Sequence, residues 1–252
     1  MPSQVTLRRA GVLLHPTSLP GEGYTGDFGP QARRFIDTMA LAGLSVWQVL
    51  PIGPTHEDGC PYQSSSVHAG NPDLVNLDWL VEHQLLEADQ ARTGQQNPTA
   101  KREALDQAST VFFQRLFNAE ASPLVSAYSE FTEQAEFWLE DYVRFQAFRD
   151  AEQRRPWASW AVGLRNYEPD ACLERARELA PELSKLRFRQ FIFHQQWMEL
   201  KAYANERGVR LFGDMPIYVH LESADVWAHQ DQFNLDQNGQ PITVTGVPPD
   251  YF

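Results

Sequence analysis

Apolar residues follow two rhythms along this chain. A short run at 11–15, Gly-Val-Leu-Leu-His, ends against Pro16 and Pro20 and reads as a buried strand. A helical rhythm follows. Ala32, Phe35, Ile36, Met39 and Ala40 fall on one stripe, and Gly43 stands where that helix stops. Residues 45–50, SVWQVL, read as a second strand closed by Pro51. A strand, a helix and a strand in that order form a βαβ unit, which requires parallel strands.

From 78 to 180 the pattern is mostly helical. Phe131, Ala135, Trp138, Tyr142 and Phe145 mark one amphipathic face, and residues 91–100 and 153–167 read as loops between helices. Pro181 opens a long helix with Leu186, Phe193, Trp197, Leu200 and Ala204 on one face, ended by Gly208. Residues 209–214 read as a third strand. Ser223 is placed to cap a short helix, ADVWAH. The pattern therefore predicts an α/β fold with three barrel-type strands. It divides into 1–77 with the first two strands, 78–180 as a helical insertion, and 181–252 with the third strand.

Composition changes this picture little. The 252 residues would suffice for a complete (β/α)8 barrel, but about a hundred of them belong to the insertion. The net charge of -12 repels phosphate backbones, so nucleic acid and anionic membranes are poor partners and a neutral sugar or polyol fits better. Cys60 and Cys172 form no disulfide framework, and the start, MPSQVTLRRAG, lacks the apolar core of a signal peptide. A reduced cytoplasmic protein is expected.

Several motifs carry letters without chemistry. Residues 21–26 spell G-x-G-x-x-G, but Glu22 and Asp27 put carboxylates where a pyrophosphate would sit, and no acidic residue follows the second strand. His56, Glu57, Asp58, Cys60 and His68 have no established zinc spacing and read as a polar loop. No G-x-S-x-G elbow occurs. The strand ends say more, because parallel barrels keep their chemistry at the C-terminal ends of strands. There stand His15, Thr17 and Ser18, then the loop with Cys60, Tyr62, Gln63 and Ser64, then Asp214. Carboxylate, hydroxyls, amides and aromatic rings suit a sugar ring.

The phrases LLHPTSLPG (13–21), WQVLPIGPT (47–55), PYQSSSVHAGNPDLVNLDWL (61–80), GDMPIYV (213–219) and GVPPDYF (246–252) occur in order along the chain. Together they resemble the 4-α-glucanotransferase family, also called amylomaltase or disproportionating enzyme. The resemblance implies part of an α-amylase-type (β/α)8 TIM barrel. It implies transfer of an α-1,4-glucan segment to the 4-hydroxyl of another glucan or of glucose, by a retaining double displacement without metal or organic cofactor. Asp214 matches the family's aspartate that hydrogen-bonds sugar hydroxyls at the cleavage site. Tyr62 matches the tyrosine flanking that sugar, and Asp250, Tyr251 and Phe252 match the start of a loop that covers bound glucan. Cys60 replaces the usual serine, which weakens a hydrogen bond there. Glu57 stands where some relatives carry a tyrosine of a second glucan site, so that site is not carried over. The nucleophile, the acid/base glutamate and the third carboxylate belong to positions beyond Phe252, so the isolated chain is expected to be inactive and, with an open sheet, marginally stable. Two other readings stand beside this one: a non-catalytic glucan-binding fragment, and a metabolic barrel enzyme acting on a phosphorylated small molecule.

Overall fold

The computed structural model describes residues 8–119, 122–243 and 246. The chain forms two compact units and passes between them repeatedly. One comprises Met1–Ile52, Gly70–Glu133 and Arg187–Met215; the other comprises Gly53–Ala69, Gln134–Leu186 and Pro216–Phe252.

The first unit holds a parallel three-stranded sheet, β1 (Gly11–Leu13), β2 (Val46–Gln48) and β3 (Arg210–Phe212), in the order β1-β2-β3. Val12, Trp47 and Leu211 share one row of the register, so their side chains point to one face. Helix α1 (Pro30–Leu41) covers that face, with Phe35 set edge-on to Trp47 at 5.0 Å. Trp47 is fully buried, and its Nε1 donates to the Leu14 carbonyl at 2.8 Å. The opposite face differs from expectation. β1 is an edge strand, and Leu13 and Phe212 on that face are 53% and 58% exposed. An apolar run reads as a buried strand in sequence, but burial depends on what packs against it.

The rest of this unit is helical: α2 (Leu77–Glu82), α3 (Ala88–Gly94), α4 (Pro98–Phe117), α5 (Pro123–Gln134) and most of a long helix at 180–206. The expected loop at 91–100 shrinks to residues 95–97. The Glu87 N–H donates to Gln90 Oε1 at the start of α3, and Asn97 Oδ1 accepts from the Ala100 N–H to cap α4. Phe112 lies against Phe188 and Phe191 at 5.3 and 5.8 Å, forming the aromatic centre of the unit.

Four backbone hydrogen bonds are supplied to the loop before α2 by two buried glutamines. Gln190 Oε1 accepts from the Gly70 N–H at 2.8 Å and its Nε2 donates to the Gly70 carbonyl at 2.9 Å. Gln196 repeats the pattern on Asn76 at 2.7 and 3.0 Å. Each amide imitates a strand neighbour for a segment that has none. Glycine is required at 70, because a Cβ there would fall 2.1 Å from the Phe193 ring.

The second unit contains α6 (Glu136–Ala151), α7 (Val162–Arg165), α8 (Pro169–Glu178), the start of α9 (Ala180–Glu206) and α10 (Ala224–Ala228). The single amphipathic run expected across 131–145 is two helices. Ala135, at φ -94° and ψ 1°, leaves helical geometry between α5 and α6. Periodicity does not distinguish one helix from two in near succession. The core is aromatic. Trp160 and Trp227 are buried beside Phe145 and Phe148, and Trp157 is fully buried as well. Each indole donates to a carbonyl: Trp157 to Leu221, Trp160 to Arg155 and Trp227 to Leu164. Ser223 caps α10 as expected, its Oγ accepting from the Val226 N–H at 3.2 Å.

Candidate functional site

The C-terminal ends of the three strands form a rim in the first unit. The ladder extends past the strands, with the Leu14 N–H donating to the Gln48 carbonyl at 3.0 Å and the Val49 N–H to the Phe212 carbonyl at 2.9 Å. His15 follows β1. Thr17 Oγ1 lies 2.7 Å from His15 Nδ1, and Nε2 lies 3.3 Å from the Pro51 carbonyl. A carbonyl only accepts, so Nε2 carries the proton and the Thr17 hydroxyl donates to Nδ1. Burial holds the His15 pKa below the usual histidine value, opposed in part by the Pro51 carbonyl. This imidazole is a neutral, oriented group that ties β1 to the turn after β2. Asp214 follows β3 directly after Gly213. It is exposed, and its Oδ1 accepts from the Met215 N–H at 2.8 Å. The residue stands exposed two positions past the end of β3.

Tyr62 belongs to the second unit. It lies on a hairpin at 54–65 whose arms meet in an antiparallel bridge between Thr55 and Ser64. Two turns fold the tip: the Gly59 N–H donates to the His56 carbonyl and the Gln63 N–H to the Cys60 carbonyl. Tyr62 is 46% exposed there. The base is held firmly. The Ser65 N–H donates to the Pro54 carbonyl, the Ala224 N–H to the Ser65 carbonyl, and Gln146 Nε2 to Ser65 Oγ at 2.6 Å. Asp214 and Tyr62 thus sit in different units, each in a defined local setting. Asp250, Tyr251 and Phe252 lie outside the described residues.

Sequence reading grouped His56 with His68, and the structure separates them. His68 sets its ring against Phe137 and Trp138. His56 instead lies against His220, with ring centroids 4.4 Å apart and the planes tilted by 46°, and accepts from Arg149 at Nδ1, 3.2 Å away. Arg149 is 93 residues further along the chain. No spacing rule links the two, and sequence reasoning missed this cluster.

The G-x-G-x-x-G loop borders a cavity of about 220 Å³ lined by Glu22, Tyr24, Asp27, Asp78 and Lys101 among others. Lys101 is buried, its ammonium donating to the Asp73 carbonyl, and Tyr24 donates to Asp73 Oδ1 at 2.7 Å. Asp27 accepts from the Gly29 N–H and from Asn76 Nδ2. Burial raises the Asp27 pKa and lowers that of Lys101, and each charge counters the other's shift. The network closes on itself and serves the packing of the loop. Its carboxylates are the wrong sign for a nucleotide phosphate.

The 4-alpha-glucanotransferase family model matches residues 14–252. The chain belongs to that family. It is 43% identical to the 4-alpha-glucanotransferase of Thermus thermophilus over 97% of this chain and 49% of that one. The Synechocystis enzyme is 41% identical, covering 97% and 50%, and the chloroplastic/amyloplastic enzyme of Solanum tuberosum is 38% identical, covering 97% and 44%. The chain spans about half the length of the curated relatives it matches. Among solved structures, the amylomaltase from Streptococcus agalactiae in complex with acarbose superposes with a TM-score of 0.89 at 32% identity, covering 97% of this chain and 51% of that one. The Corynebacterium glutamicum amylomaltase shares the fold, with a TM-score of 0.61 at 18% identity over 90% of this chain and 32% of that one. The parallel sheet with its helical insertions is therefore part of the glucanotransferase barrel. No helix among the described residues is long and apolar enough to cross a membrane.

Proposed function

We propose that this chain contributes sugar contacts to a 4-α-glucanotransferase, which moves an α-1,4-glucan segment to the 4-hydroxyl of another glucan or of glucose. The observation that carries this reading is Asp214, an exposed carboxylate directly beyond the end of β3 in a parallel sheet, within a chain of this family. Tyr62 offers an aromatic face on a braced hairpin, and Asp250, Tyr251 and Phe252 are assigned to the loop that covers bound glucan. The acarbose complex of the similar amylomaltase supports a saccharide ligand. Residues 78–180 are the insertion between the second and third strands.

A retaining transfer requires a nucleophilic carboxylate and an acid/base carboxylate about 5–5.5 Å apart. The family resemblance assigns neither to a residue of this chain. The chain alone is therefore expected to bind maltooligosaccharides without transferring them, which is also what a non-catalytic glucan-binding reading requires. Incubation with maltotriose separates chemistry from binding, because transfer releases glucose and longer products. Calorimetric titration with maltoheptaose tests the site. Tyr62→Ala and Asp214→Asn are each expected to weaken affinity by about ten-fold, the effect of one lost stacking face or one charge-assisted hydrogen bond. Unchanged affinity in both variants would overturn the assignment.

A further inference from the structure

The hairpin that carries Tyr62 is gripped from two sides by a cluster that sugar binding does not itself require. Arg149, on α6, donates through Nη2 to His56 Nδ1 at 3.2 Å. The His220 ring, from the segment after β3, packs against His56 at 4.4 Å, tilted by 46°. Next to Arg149, Arg154 reaches Glu57 Oε1 at 3.3 Å and Asp150 Oδ1 at 3.3 Å. The backbone that delivers Arg154 is strained. Gln153 and Arg154 are consecutive non-glycine residues at φ 55° and 59°. Such residues persist where the surroundings over-determine them.

Two features mark this cluster as more than packing. Arg149 can only donate, so His56 Nδ1 must accept and the His56 proton resides on Nε2. His56 Nε2 and Arg149 Nε are both buried and have no partner among the described residues. Two orphaned donors are a standing cost, tolerated here in an arrangement that joins the hairpin to α6 and to the segment before α10.

We propose that His56, Arg149 and His220 are positioning residues for glucan binding, clamping the Tyr62 hairpin in the conformation in which it meets the sugar. This rests on the reading of Tyr62 as a sugar contact. The clamp exists only while both imidazoles are neutral. Protonated His56 presents a donor to the Arg149 donor and a cation to the guanidinium. The charged and titratable groups acting on it are Arg149 and Arg154 from α6 and its following turn, His220 from the segment after β3, and Asp58 from the hairpin itself, while Glu57 and Glu222 act on Arg149. Burial is the main force holding His56 neutral, down to about 4, followed by Arg149 and His220, with Asp58 opposing. Burial also lowers His220, whose Nδ1 accepts from the Glu222 N–H at 3.1 Å.

The test uses the 252-residue chain and two readouts, amide exchange across 54–65 and maltoheptaose affinity. His56→Leu removes the acceptor and the imidazole that packs against His220 together. It is expected to speed hairpin exchange and weaken affinity, each by about ten-fold. His56→Asn puts an amide oxygen where Nδ1 was and carries no titratable proton. It is expected to restore both to within about three-fold of wild type. Acidification from about pH 7.5 to about pH 3.5, past the His56 value of about 4, should loosen the hairpin in the wild type and do so less in His56→Asn. The proposal is overturned if His56→Leu leaves both readouts unchanged, if exchange rises while affinity holds, or if acid loosens His56→Asn as much as the wild type. If wild type binds no maltoheptaose, the Tyr62 assignment falls, and hairpin exchange alone still decides whether the clamp exists. Should His56→Leu not fold, the acid series on wild type and His56→Asn decides.

Discussion

Replacing Gln196 with leucine should unsettle the first unit out of proportion to the small change in shape. Gln196 is 3% exposed on α9, and Asn76 is 6% exposed. The amide satisfies both backbone groups of Asn76, accepting from its N–H at 2.7 Å and donating to its carbonyl at 3.0 Å. Leucine fills nearly the same space and leaves both groups buried without partners. Each orphaned group costs about 1–3 kcal/mol, so the pair costs roughly 2–6 kcal/mol. The extra apolar burial of leucine returns about 1 kcal/mol. A net loss of roughly 1–5 kcal/mol follows. The damage should spread locally, since Asn76 Oδ1 caps α2 by accepting from the Trp79 N–H at 3.0 Å and Asn76 Nδ2 donates to Asp27. Urea denaturation followed by tryptophan fluorescence gives the stability change, and amide exchange at Asn76 and Trp79 gives its location. A change below about 1 kcal/mol with the Asn76 amide still protected would mean that the glutamine does not serve this backbone.

Gly70→Ala forces a methyl group into the Phe193 ring, 2.1 Å from the new Cβ, and is expected to lower the urea midpoint by an amount worth about 1–3 kcal/mol; a neutral result would show that α9 shifts freely. Burial lowers the pKa of His15, His56, His194 and His220. The unfolded chain, with histidines near about 6.5, then binds more protons than the folded one, so this stability is complete above about pH 6.5 and is lost as pH falls through the folded values. Asp27 and Glu222, raised by burial, act in the opposite sense in the carboxylate range. A lower urea midpoint at about pH 5.5 than at about pH 7.5, with proton uptake on unfolding, is the expected outcome, and a flat midpoint would contradict it. Phe112→Ala opens the aromatic centre where Phe188 and Phe191 meet it, and should cost about 3–5 kcal/mol by the same urea assay.

The three strands were legible because each is an apolar run closed by proline or glycine, and the α1 stripe because its period is unambiguous. Asp214 was legible from its place after the third run. The break at Ala135 was not, because alanine carries no turn signal and the apolar spacing continues across it. The shortened loop at 95–97 shows local chemistry winning over composition, since Asn97 and Pro98 start a helix inside a polar stretch. The long helix presents a further lesson. Its predicted stripe runs through Phe193 and Leu200, yet Gln190 and Gln196 are equally buried. Polar residues there look like a solvent face until the backbone they serve is known.

The sequence by itself determined the family, the βαβ core and the cap at Ser223. These depend on neighbours a few positions apart or on motifs read letter by letter. Tertiary structure alone decided that the sheet leaves Leu13 and Phe212 exposed, that glutamines replace a missing strand beside Gly70 and Asn76, and that His56 meets Arg149 and His220. Those outcomes depend on burial and on contacts between residues far apart in the chain. Both arise only when the elements pack, so no local pattern encodes them.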